Sequence, residues 1–191
     1  MIFLVLIGVI ALYIGATYNK FVTSRGRIKA SVQEIGNQLK RQVELIPNII
    51  DSAKLYLKHE KDIFKDLTDA RKSIMEASGS NNVQKMSDAS DQLQKVLSQF
   101  KVIVEATPQI RGVETINTMM NELRDTADKI MYARRTFIDL TADYNISRVT
   151  FPSNLVAMLF KFEELKGLDT AESGAHLEVS AEETKTPKVG I

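Results

Sequence analysis

Cysteine is missing from the 191 residues, which excludes disulfides and thiolate chemistry and leaves the redox compartment unreadable. Histidine is scarce: His59 and His176 are too few for a histidine-based metal site within one chain. Four prolines and nine glycines, set among many Leu, Ile, Lys, Glu and Gln residues, point to long helices. The formal net charge is only +1, so the molecule as a whole is neither a polyanion binder nor an acidic mimic. Without a basic excess or aromatics interleaved with basic residues, nucleic acid is not an expected partner.

What is present begins with an apolar run. Ile2 to Thr17 reads IFLVLIGVIALYIGAT, and the first charged side chain is Lys20. This length is near the lower limit for a helix crossing a hydrocarbon core of about 30 Å. A cleaved signal peptide fits poorly, because no basic segment precedes the run and no clean A-x-A site follows it. A buried helix of a soluble domain fits poorly with a basic flank at the extreme N-terminus. A retained single span is therefore expected, with Tyr13 and Tyr18 near the interface on the side where the chain exits. Lys20, Arg25, Arg27 and Lys29 follow with no acidic residue among them up to Gln33. The positive-inside rule then puts the N-terminus outside and the body in the cytoplasm.

From Ile28 the apolar positions run Ile28, Val32, Ile35, Leu39, Gln42, Ile46, Ile49, Ala53, Tyr56, Glu60, Ile63, Leu67, Ala70 and Ile74. Steps alternating between four and three mark a helix packed against other helices. Pro47 lies inside this pattern, and the register is the same on both sides of it. The spacing predicts one long helix kinked near Leu45–Pro47, with a plain helix end at Pro47 as the alternative. Ala77–Asn82 is a turn and capping cluster. A second helix is expected over Val83–Glu105 and a third over Val113–Val149, with Phe137 and Tyr144 among its apolar slots. Phe151-Pro152-Ser153 breaks the chain, Ser153 being the expected N-cap of a short apolar helix that Gly167 ends.

The fold class read from this is all-α: an N-terminal transmembrane helix continuing into an antiparallel bundle of three long helices plus a short fourth. Its parts are an anchor over residues 1–19, a bundle over 20–166 and a disordered tail over 167–191. The third helix, roughly 55 Å, outruns the second, roughly 35 Å. Its overhanging Phe137 and Tyr144 need cover, from the final helix or from another subunit.

Few constellations carry chemistry. His59-Glu60 is the closest to a chemical pair, but the Glu-x-x-His repeats of a di-iron bundle are missing. Glu60 and Arg134 each occupy an apolar slot, and an internal ion pair between them is expected because buried charges need partners. Lys20, Arg25, Arg27 and Lys29 are membrane-surface candidates, each basic residue contributing about 1 kcal/mol towards an anionic leaflet. A topology signal alone explains them equally well. Lys40-Arg41 reads as a solvated helix face. Ile46, Pro47 and Asn48 form a kink, either purely structural or a docking notch whose freed carbonyls a partner uses.

The stretch Tyr18–Arg71 resembles the LemA family of bacterial membrane proteins. Family elements stand here as Tyr18-Asn19, Gln38-Leu39-Lys40-Arg41, Leu45-Ile46-Pro47-Asn48 and His59-Glu60. A second block runs through Asn121-Glu122-Leu123, Ala133-Arg134-Arg135, Asp143-Tyr144-Asn145 and Thr150-Phe151-Pro152-Ser153-Asn154-Leu155. The likeness covers about Ile2 to Leu165. Departures from the family pattern occur at Ser31, Thr107, Phe137-Ile138 and Lys161-Phe162. The resemblance implies a short span followed by an antiparallel bundle in a bacterial cytoplasmic membrane, and it supplies no reaction. Some relatives are linked to organising intracellular membrane compartments.

The combined expectation is a membrane-anchored scaffold that touches lipid through its N-terminal helix and binds itself or other membrane proteins. A signalling component relaying through the anchor helix is the alternative. Neither an enzyme nor a cofactor, metal or small-molecule substrate is expected.

Overall fold

The computed structural model describes residues 1–80 and 82–169, which form six helices joined by short connections. The first, α1, is continuous from Ile2 to Lys54, about 80 Å at helical rise. Its large apolar side chains from Ile2 to Leu12 are exposed, and burial begins with Thr17, Phe21 and Ile28. No other described helix is long and apolar enough to cross a membrane.

Contrary to the expected single rod reaching Arg71, the chain stops being helical after Lys54 and turns over Leu55–Glu60. Leu57 is buried there, and its backbone N–H donates to the Ala53 carbonyl at 2.9 Å. Helix α2, Lys61–Gly79, then runs back along α1 and brings Arg71 beside Val43. The apolar register crosses the turn because α1 and α2 each bury one face in the same core, Ile35 to Ala53 from one and Ile63 to Ala77 from the other. Tyr56 and Glu60, which filled slots in the pattern, are exposed in the turn.

Helix α3, Val83–Ala106, is capped by the Asn82 side chain, which accepts from the Lys85 amide at 3.1 Å. Pro108 opens the single turn α4, Pro108–Arg111, whose Ile110 is fully buried. Helix α5, Glu114–Val149, returns antiparallel to α1. Contacts pair Lys20 with Ser147, Arg25 with Tyr144 and Gln42 with Thr126. At that register the start of α5 is level with the end of α1, and the end of α5 is level with Asn19 and Lys20. The bundle thus begins where the apolar run ends.

Two cores result. The distal one joins α1, α2, α3 and α5 through residues such as Leu39, Ile49, Leu67, Ile74, Leu93 and Leu123. The proximal one holds Phe21, Ile28, Phe137, Tyr144, Ala157 and Phe162. The overhang of the third long helix is real, and the chain's own C-terminal segment covers Phe137 and Tyr144 together with α1.

That cover is only partly helical. Helix α6, Ser153–Leu159, ends well before Gly167; Lys161 has a φ of 53° and redirects the backbone. Ser153 is not the cap: it is the first helical residue, and its hydroxyl donates to the Ser147 and Thr150 carbonyls at 2.6 and 2.8 Å. From Phe162 the chain forms a strap along the bundle. Asn145 exchanges two hydrogen bonds with Leu165, at 2.8 and 3.1 Å. The Asp169 amide reaches Gln84 of α3 at 2.9 Å. The disordered tail expected over 167–191 lies outside the described residues from 170 onward.

Candidate functional site

The four basic candidates near the apolar run divide by environment. Lys20 donates to the Ser147 hydroxyl at 3.2 Å, tying α1 to the end of α5. Arg25 donates through Nε to the Tyr144 hydroxyl at 3.0 Å and lies 5.0 Å above the Phe162 ring. That cation–π geometry makes Arg25 a structural member of the proximal core. The Tyr144 hydroxyl passes the link on, donating to the Glu163 carbonyl at 3.0 Å. Arg27 and Lys29 are exposed. Arg27 lines an open groove of about 650 Å³ between α1 and α5, along with Lys20 and Asp143.

Pro47 sits inside α1, with helix continuing seven residues beyond it. Lacking an N–H, it leaves the Val43 carbonyl without its helical donor. Arg71 of α2 takes that place, its Nε donating to the Val43 oxygen at 3.0 Å. The carbonyl freed by the proline is therefore used within the chain. Ile46 is buried in the distal core and Asn48 is exposed beside it. Arg71→Ala should cost about 1–3 kcal/mol by leaving the carbonyl unpaired. In a Pro47→Ala background, where residue 47 regains an N–H, the same change should cost less than about 1 kcal/mol. Denaturation of the four members of the cycle measures this, and equal costs in both backgrounds would show the two sites to be uncoupled.

Glu60 and Arg134 do not meet. Glu60 is exposed in the turn before α2, whereas Arg134 donates to Asp91 of α3 at 2.8 Å. The reversal after Lys54 carries Glu60 away from the slot that periodicity assigned to it. Asp91 lies on the α3 face that meets α5, so it supplies the carboxylate instead. His59 is also exposed.

Periodicity did not reveal two links across α1 and α5. Arg41, read as part of a solvated face, forms an ion pair with Glu122. Its pKa is raised by the hydrogen bond to Glu122 and by that carboxylate's charge. Arg41 is charged at any physiological pH in either case, and the pair, open to solvent, is a modest link between the two helices. One residue on, the fully buried Gln42 donates to the Thr126 hydroxyl at 3.1 Å, and Thr126 donates to the Leu123 carbonyl at 2.7 Å. A polar residue in an apolar slot was the available signal, since buried amides seek partners on the facing helix.

An open groove of about 710 Å³ runs between α1, the end of α2 and the start of α3, with Val32, Val43 and Met86 in its wall and Lys40 and Glu44 at its rim. Among the described residues, no three His, Cys, Asp or Glu side chains stand together as a metal site. The geometry is that of a body fastened at several points to one long helix, with side-chain links from α1 to both α2 and α5.

Comparison with known proteins gives the family. The magnetosome protein MamQ of Magnetospirillum gryphiswaldense is 26% identical over 178 residues, an alignment covering 78% of this chain and 63% of MamQ. The chain thus spans a little under two thirds of that relative's length. The family model described as LemA matches residues 31–186, from the middle of α1 through α6 and beyond. This protein, a membrane-associated helical protein, belongs to the LemA family.

Proposed function

We propose that the protein is a membrane-anchored scaffold: α1 crosses the bilayer once and holds a rigid helical body against its cytoplasmic face, where the body binds copies of itself or other membrane proteins. The observation that carries this is the unbroken course of α1 from the exposed apolar run into the bundle core. A helix without a break transmits position and orientation, which a flexible linker does not. The basic residues just past the apolar run support the orientation, with Arg27 and Lys29 free to face an anionic leaflet. The likeness to a magnetosome protein supports a role in organising a membrane or envelope assembly.

The absence of cysteine allows single-cysteine variants to be used without background. Thr23→Cys and Val102→Cys should react with an impermeant maleimide only after the cells are opened. Bifunctional crosslinking from Val102→Cys in intact membranes should give discrete adducts larger than the 21.4 kDa chain. Labelling of both positions in intact cells would overturn the orientation. A monomeric profile for the detergent-solubilised full-length protein, together with no adducts in membranes, would overturn the scaffold.

A further inference from the structure

Outside the N-terminal run, exposed large apolar side chains are concentrated on residues 149–160, a stretch without a charged side chain. Phe151 is 75% exposed, Met158 71%, Leu159 66% and Leu155 53%. Other exposed large apolar residues on the bundle, such as Met75, Val102 and the pair Met131 and Tyr132, are spread over longer stretches of chain, which is ordinary for a soluble surface. A cluster of four within one short segment is not ordinary.

The location of this surface identifies what covers it. Phe160 packs on Tyr18 with ring centroids 4.8 Å apart, and Phe162 packs on both Tyr18 and Phe21. On α1, Ile14 is half-buried and Thr17 buried at the level where α5 has ended and α6 adjoins α1, and Phe21, one turn further on, is buried against Tyr144 and Phe162. Helix α6 therefore overlaps the last turn of the apolar run itself. If α1 crosses a bilayer, its flank at Ile14–Tyr18 is at the headgroup boundary, and α6 is there too. Val156 and Ala157 turn towards the protein, while Leu155, Met158 and Leu159 turn away from it.

We propose that residues 149–160 are a second membrane contact, with α6 lying in the headgroup–acyl boundary beside α1 and its Leu155, Met158 and Leu159 side chains among the lipid chains. The occupant is a phospholipid bilayer, because the patch is continuous with the apolar flank of α1. An apolar helix face in this setting sinks about 5–10 Å below the headgroups. Two contacts, one spanning and one lying flat, fix the tilt of the bundle in a way that one span alone cannot. The inference rests on the reading of α1 as a span, so its test reports on the two separately.

The chain has no tryptophan, so single introduced tryptophans are clean fluorophores. Leu159→Trp probes α6, Leu6→Trp the middle of the apolar run and Val102→Trp the distal surface. Met158→Trp is a second α6 probe, and both α6 positions are exposed enough to accept the ring without repacking. Full-length protein is reconstituted into phosphatidylcholine–phosphatidylglycerol vesicles with bromine placed either shallow or deep on the acyl chains. Both α6 probes should emit blue-shifted and lose about half or more of their emission to shallow bromine, as depths of about 5–10 Å imply. Leu6→Trp should be quenched most by deep bromine and Val102→Trp by neither. Unquenched, red-emitting α6 probes beside a quenched Leu6→Trp would overturn the second contact and leave the span intact. Blue-shifted but unquenched α6 probes would also overturn it, since protein, such as a second copy, would then be the cover. An unquenched Leu6→Trp would remove the span and the inference with it.

Discussion

Phe21→Ala should destabilise the protein by about 3–5 kcal/mol, the usual cost of deleting a fully buried aromatic ring. Phe21 is 1% exposed and is the hub of the proximal core. Its ring stacks on Phe162 at 4.7 Å and meets the edge of Tyr144 at 5.5 Å, and such pairs add about 0.5–1.5 kcal/mol beyond the area they bury. Little else is at hand to fill the void, because α1, α5, the short α6 and the C-terminal strap supply all the buried members of this core. The loss should also be local. Strap residues 162–169 depend on Phe162 against Phe21, and Lys161 and Lys166 within or beside the strap are exposed. Trypsin should therefore cut there several times faster in the variant while the distal helices persist. A loss below about 1 kcal/mol, or cleavage at the parent rate, would show that Phe21 does not hold the strap.

The second large effect lies at the opposite end. Leu67→Ala should cost about 2–5 kcal/mol, measured by chemical denaturation in detergent. Leu67 is fully buried on α2 among the distal core residues that include Ile46, Ile49 and Ile74. The size of the effect depends on the reversal at Leu55–Glu60. Had α1 run on through Arg71, Leu67 would stand beyond the start of α5 with α3 as its main neighbour, and truncating it would cost far less. Lys65→Ala, an exposed change two residues away, should stay within about 0.5 kcal/mol and serves as the control. Similar values for the two variants would contradict the packing of α2 on α1.

These two predictions involve one element that periodicity revealed and one that it hid. The buried stripe from Ile28 to Ala53 and again from Ile63 to Ile74 was largely readable, buried Ser31 beside half-buried Val32 being the exception, because a helix buried on one face must repeat apolar residues at helical spacing. The reversal between those stretches was not readable. Leu55–Glu60 holds neither glycine nor proline, and the stripe keeps its phase across it, so no local marker separates a turn from a continuing helix. Pro47 carried the opposite signal. A proline inside a helix ordinarily marks a break, but here Arg71, twenty-eight positions beyond Val43 in sequence, supplies the donor that the Val43 carbonyl lacks. Contacts of that range leave no local pattern.

The end of the bundle beside the apolar run was legible in outline. The need to cover Phe137 and Tyr144 followed from helix lengths alone. The means did not: the reciprocal bonds of Asn145 with Leu165 and the stacking of Arg25 on Phe162 depend on a non-helical strap that the apolar spacing read as helix. Read only for charge, Arg25 belonged with Lys20, Arg27 and Lys29 as a membrane-surface residue. Its aromatic neighbours make it part of the core as well, and Arg27 and Lys29 keep the freer surface positions.

Everything proposed for this protein depends on α1 being one stiff helix from the apolar run into the bundle. Hydrogen exchange of the full-length protein in lipid nanodiscs measures this directly, by peptides covering Thr17–Ile28, where the two regions join. Continuous protection through that stretch, at the level of the Leu39–Ile50 peptides, is the predicted result. Rapid exchange between Tyr18 and Arg27, flanked by protected segments on both sides, would reveal a hinge there and contradict the account.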